Sequence, residues 1–77
     1  MGKHRADMLV HIDEALATGE LQELERTLGA ESGVYSACVS DKTTHLMVVE
    51  YDPEDISAKY ILDRVQEAGV HAEIVAL

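Results

Sequence analysis

A chain of 77 residues with 47% apolar side chains makes one small domain, near the size below which a single core needs disulfides, metals or self-association to hold it. Six Lys and Arg against fifteen Asp and Glu give a formal charge of −9. That field repels phosphate backbones, which excludes nucleic acid as a partner, and it favours cations or a basic protein surface.

In chain order, residues 1–7 lack periodicity and read as a flexible amino-terminal tail that includes His4 and Arg5; residues 8–77 form the domain. Met8 to Asp13 alternates, with Met8, Val10 and Ile12 on one face of a first strand. Glu14 to Ala17 is a loop, and Thr18 is the expected N-cap of a helix with Glu20 and Glu23 in its first turns, where the helix dipole favours carboxylates. Leu21, Leu24 and Leu28 recur at i, i+3, i+7 as the buried stripe of that helix, and Gly29 and Gly33 bracket its end. Val34 to Ser40 is a second strand, Asp41 to Thr43 a turn, and Thr44 to Tyr51 a third strand. Asp52-Pro53 ends it, because proline restricts the residue before it and cannot donate to a ladder. Ser57 caps a second helix with Ile61, Leu62, Val65 and Ala68 as its buried stripe and Gly69 beyond it. Val70 to Ala76 is the last strand.

This order, βαββαβ, predicts an α+β, ferredoxin-like two-layer sandwich. Right-handed crossovers place both helices on one face of a four-stranded antiparallel sheet in the order 4-1-3-2. With tyrosines as its only aromatics, the core is expected to be built from Val, Leu, Ile and Ala. No apolar run approaches the ~20 residues of a membrane span, and none resembles a signal peptide, so no membrane is expected as a partner and the expected location is the cytoplasm.

Several short stretches in correct order and separation resemble the heavy-metal-associated (HMA) domain, the small module of copper chaperones and metal-pumping ATPases. Gly33-Val34 follows the first helix as the family's Gly-Val does. Val49-Glu50-Tyr51-Asp52-Pro53 is similar to the family's V-x-Y/F-D-P strand exit, and Ile61, Val65, Ala68 and Gly69 match the spacing of its second helix. The resemblance implies this fold and a metal loop, G-M-x-C-x-x-C, whose register falls on Glu14 to Glu20. Glu14 replaces the glycine, Ala15 the methionine, and Ala17 and Glu20 replace the two cysteines. Val70 stands where many bacterial copper chaperones carry a Tyr. A thiolate pair is what captures a soft ion such as Cu(I). The chain therefore reads as an HMA-like domain that has lost thiolate Cu(I) binding and serves as a protein-interaction or accessory module in a metal-handling pathway. The alternative is a metal-binding protein or metallochaperone using His and Cys ligands instead of the CxxC motif.

For that alternative the candidate ligands are His11, His71, Cys38 and His4. Cys38, as the sole cysteine, allows no intramolecular disulfide and no four-thiolate zinc site. His11 and His71 alternate away from the helix-facing residues, on strands expected to be neighbours. Near Asp13 or Glu73 they could hold Zn(II), Ni(II) or Cu(II). His4 becomes the third residue once Met1 is removed, a position suited to an amino-terminal square-planar chelate of Cu(II) or Ni(II). His45 opens a strand expected to run parallel to the first, which would set it at the opposite end from His11 and outside the ligand set. No cofactor beyond such a divalent ion is indicated.

The open sheet face is the other functional feature. Leu9, Leu46, Val48 and Val75 should point away from the helices with Cys38 among them, on a face that in a solvated antiparallel sheet is mostly polar. This predicts a homodimer or a protein partner on that face. No glycine-rich phosphate loop and no nucleophile motif occurs, so no enzymatic activity is expected.

Overall fold

The computed structural model describes residues 5–40, 42–43 and 45–77. Its elements are β1 (Ala6–Ile12), α1 (Thr18–Gly29), β2 (Val34–Val39), β3 (Leu46–Tyr51), α2 (Ala58–Glu67) and β4 (Ala72–Ala76). They form one four-stranded antiparallel sheet in the order β2-β3-β1-β4, the expected 4-1-3-2 arrangement read from the other edge. The first strand begins at Ala6, inside the expected tail, because Ala6 and Asp7 pair with Tyr51 and Glu50. Arg5 lies over the Tyr35 ring, 4.8 Å from its centroid.

Strand alternation builds the core. Met8, Val10 and Ile12 of β1 and Met47, Val49 and Tyr51 of β3 are all buried, and they meet Leu24 and Leu28 of α1 and Ile61 and Val65 of α2 in one cluster. Met8, Met47 and Tyr51 stand there beside the aliphatic residues, on the inward side that strand alternation gives them. Met47 is fully enclosed, where an unbranched side chain fills irregular space between sheet and helices.

Helix ends depart from expectation in two places. The N-cap of α1 is Ala17 rather than Thr18, which is the first helical residue. An alanine side chain cannot accept a hydrogen bond, so only half a capping box forms: the Glu20 carboxylate reaches back to accept the Ala17 N–H at 2.9 Å. At the end of α2, Ala68 is the exposed C-cap rather than part of the buried stripe. Ser57 does cap α2, its hydroxyl accepting the Tyr60 N–H at 3.1 Å.

The direction of β3 corrects the expectation of a parallel pairing with β1. The α1 crossover leaves β2 parallel to β1, and β3 reverses against β2, so β3 runs antiparallel to β1, in register from Ala6↔Tyr51 to His11↔Leu46. His45 therefore stands beside His11, not at the opposite end.

Helix side chains also reach both outer strands. Glu25 of α1 accepts the Val39 N–H of β2 at 2.7 Å, and Gln66 of α2 donates to the Ala72 carbonyl of β4 at 3.1 Å. Register shifts interrupt β2 between Val34 and Ser36, and β4 where it pairs with Leu9 and Val10.

Candidate functional site

The loop at the metal-site register runs from Glu14 to Glu20. Ala17 and Glu20 sit three residues apart at the start of α1, a spacing that puts both on one helix face. Both are exposed. Ala17 supplies no donor atom, and the Glu20 carboxylate, a hard oxygen ligand, is turned onto the Ala17 N–H. This donor set does not fit Cu(I), which selects soft thiolate and thioether sulfur.

The same loop is tied across to the α2–β4 turn by a pair that sequence reading did not join. Glu14 accepts the His71 backbone N–H through Oε1 at 2.8 Å, and its Oε2 lies 2.5 Å from His71 Nδ1. The Glu14 carboxylate hydrogen bond holds the His71 imidazole above the usual histidine range. The same bond, from the other side, holds Glu14 below the usual carboxylate range. The sign of the linkage follows for each group. The raised His71 contributes stability below its unfolded value of 6.5, lost as pH rises through the folded value. The lowered Glu14 contributes above its unfolded value of 4.5, lost as pH falls through the folded value. The pair is therefore fully effective between about pH 4.5 and 6.5. Proton NMR should find the His71 ring titrating above 6.5 in the parent and lower in Glu14→Gln. Identical midpoints in the two proteins would remove the contact from solution.

The expected His11–His71 pair does not meet. His11 stands opposite Glu73 in the β1–β4 register, and His71 lies two residue pairs further on, bonded through its carbonyl to the Asp13 N–H at 2.8 Å. Its ring turns to Glu14. The residue that approaches His11 is His45: the two rings stack with centroids 5.9 Å apart and planes 17° from parallel. His45 Nδ1 is 2.6 Å from the Ile12 carbonyl. His11 Nδ1 is enclosed and lies 3.2 Å from Asp13 Oδ1, yet makes no hydrogen bond. The signal that could have found this pair was the hairpin between β2 and β3, which fixes the direction of β3.

Cys38 is exposed and pairs in register with Val48, away from both histidines. His4 lies outside the described residues. Among the described residues, no three His, Cys, Asp or Glu side chains converge as they stand.

On the open face, Cys38, Val48, Leu9 and Ala76 form one row across the four strands. Val48 is 42% exposed and Val75 49%, while Leu9 and Leu46 are half-buried. Among the described residues no helix is long and apolar enough to cross a membrane.

No protein-family model matches this chain, and no curated protein matches it. Solved structures do. A copper binding domain from HMA7, a P-type ATPase, is 25% identical, with 95% of this chain and 96% of that one aligned at a TM-score of 0.83. The yeast copper transporter domain CCC2A is 22% identical over 94% and 96% of the two chains, with a TM-score of 0.80. The N-terminal domain of a potential copper-translocating P-type ATPase from Bacillus subtilis, solved in its Cu(I)-loaded state, is 19% identical over 95% and 90%, at 0.85. The structural neighbours are thus HMA copper-binding domains, and the ferredoxin-like fold is theirs.

Proposed function

We propose that this chain is a protein-interaction or accessory module of a metal-handling system, not a thiolate copper carrier. One observation carries the reading: at the two positions where HMA domains present cysteines, Ala17 has no donor and Glu20 is spent on capping α1. The fold of the neighbouring copper-binding domains supports the metal-handling setting. With the loop closed by Glu20 and by the Glu14–His71 contact, the surface left to act is the open sheet face.

There Leu9, Leu46, Val48 and Val75 present apolar area beside Cys38. Each such side chain, fully covered, contributes on the order of 1.5–3 kcal/mol before the cost of association is subtracted. Several together suffice for a weak dimer or for docking on a partner. Sedimentation of the pure protein tests the case of a second copy. The parent should associate as concentration rises, and Val48→Glu should stay monomeric with an unchanged fold, since its side chain points away from the core. A parent that sediments as a strict monomer at high concentration, together with no partner recovered from cell extract, would remove this face from the function.

A further inference from the structure

We propose that the groove between α1 and the α2–β4 turn takes a lysine or arginine side chain from a basic protein partner. This rests on the interaction-module reading and names the chemistry of that partner, at a surface separate from the open sheet face.

The groove is lined by apolar side chains. Leu24, 4% exposed, stands in it with half-buried Leu16 and Val70 and the exposed Ala68. Leu16 and Val70 pack against the main core, which holds these walls in place. The volume is about 210 Å³. Pockets for drug-sized molecules run to about 300–1,000 Å³, so this space suits one long side chain rather than a free small molecule.

Charge selects the occupant. Glu20 and Glu23, three residues apart on α1, are the charged groups of the lining, and no Lys, Arg or His joins them among the described residues. Glu20 places Oε1 on the Ala17 N–H, a neutral donor, so its full negative charge stays at the groove. Glu23 meets Arg26 at 2.6 Å, but both members of that pair are exposed, and such pairs are weak enough to exchange. A lysine or arginine matches both parts of the surface. Its methylene stem covers apolar area while its charged head stays with carboxylates and water.

The donor of that side chain is a protein richer in cations than this one. Arg5, Arg26, Lys59 and Arg64 each already face a carboxylate of their own chain. A second copy would also bring a further charge of −9 to an acidic groove.

The test uses a capped peptide of alternating lysine and serine, titrated into the isotope-labelled protein and followed by amide NMR. Shifts should saturate with a dissociation constant of about 1 mM or tighter and centre on Leu16, Leu24, Ala68 and Val70. Diaminopropionic acid in place of the peptide's lysines keeps each charge and removes the stem, and should weaken binding roughly fivefold or more. Glu20→Gln with Glu23→Gln retains an oxygen to cap Ala17 and should weaken it roughly threefold to tenfold. Ala68→Leu fills the groove from an exposed position without changing charge, and should abolish the saturable shifts. The amide spectrum of each variant establishes that it is folded. Shifts that do not saturate, or that scatter over the acidic surface, overturn the proposal. So does a diaminopropionic peptide that binds like the lysine one, or undiminished binding in folded Ala68→Leu, since charge alone is then the attractant. Shifts centred on Leu9 and Val48 overturn it equally, by moving the basic partner to the open face. The interaction reading is tested by sedimentation of Val48→Glu, so the two can fail separately.

Discussion

Restoring both thiols, as Ala17→Cys with Glu20→Cys, should raise Cu(I) affinity on the order of a thousandfold or more over the parent, about 4 kcal/mol. The i, i+3 spacing at the start of α1 brings the two sulfurs to one face. The dipole and unpaired N–H groups of the helix start favour the thiolate form there. Either cysteine alone should give little, because one thiolate does not complete the soft donor set. The substitution removes the Glu20 carboxylate from the Ala17 N–H, a loss of about 1 kcal/mol typical of a helix cap, so the fold must be verified first. Anaerobic competition against a Cu(I) chelator reads the gain. A folded double variant that competes no better than the parent would mean that the loop register is wrong.

The second large effect is on stability. Gly33→Ala should destabilise the domain by about 2–4 kcal/mol, lowering its melting temperature by roughly 10–25 °C. Gly33 has φ +95° between α1 and β2, and a Cβ there would stand 2.9 Å from Asp55 Cβ and 3.0 Å from Ile56 Cγ2. Its carbonyl also accepts the Asp52 N–H at 2.7 Å, so the backbone is not free to retreat. A domain of this size has roughly 4–12 kcal/mol in total, which makes that loss a large fraction. Gly29→Ala is the control: nothing lies within 4 Å of its Cβ position, it ends a helix, and it should melt at or slightly above the parent. A Gly33→Ala variant melting with the parent would show that the α1–β2 turn is looser than its contacts suggest.

The fold was legible because its signals are local and agree with one another. Leu21, Leu24 and Leu28 mark a helical stripe, the alternation of Met8, Val10 and Ile12 marks a strand, and Ser57 marks a helix start; all of these stand in the structure. The N-cap at Ala17 was missed because Thr18 is the better capping residue type. The deciding signal was Glu20, three positions after Ala17, which can close a box from its own side. At the loop, the missing cysteines could be read directly, but what replaced them could not. Glu14 and His71 are 57 positions apart, and only the packing of two loops joins them. The histidine pairing went wrong for a different reason. His11 and His45 are set together by the strand reversal that the short β2–β3 connection imposes, an inference open to sequence reasoning once the sheet order was in hand.

The side chains of Glu25 and Gln66 have a consequence for how this protein meets other molecules. By occupying groups at the rims of β2 and β4, and with the strand irregularities beside them, they discourage the lateral growth by which small sheets recruit further strands into fibrils. A carboxylate and an amide from the helices thus serve as guards at the two ends of the ladder. Visitors are left with a face-on approach, in which complementary shape and not continuous backbone pairing decides who stays. A domain with so little core gains from that arrangement, because each edge of its sheet is less open as a template for its own copies.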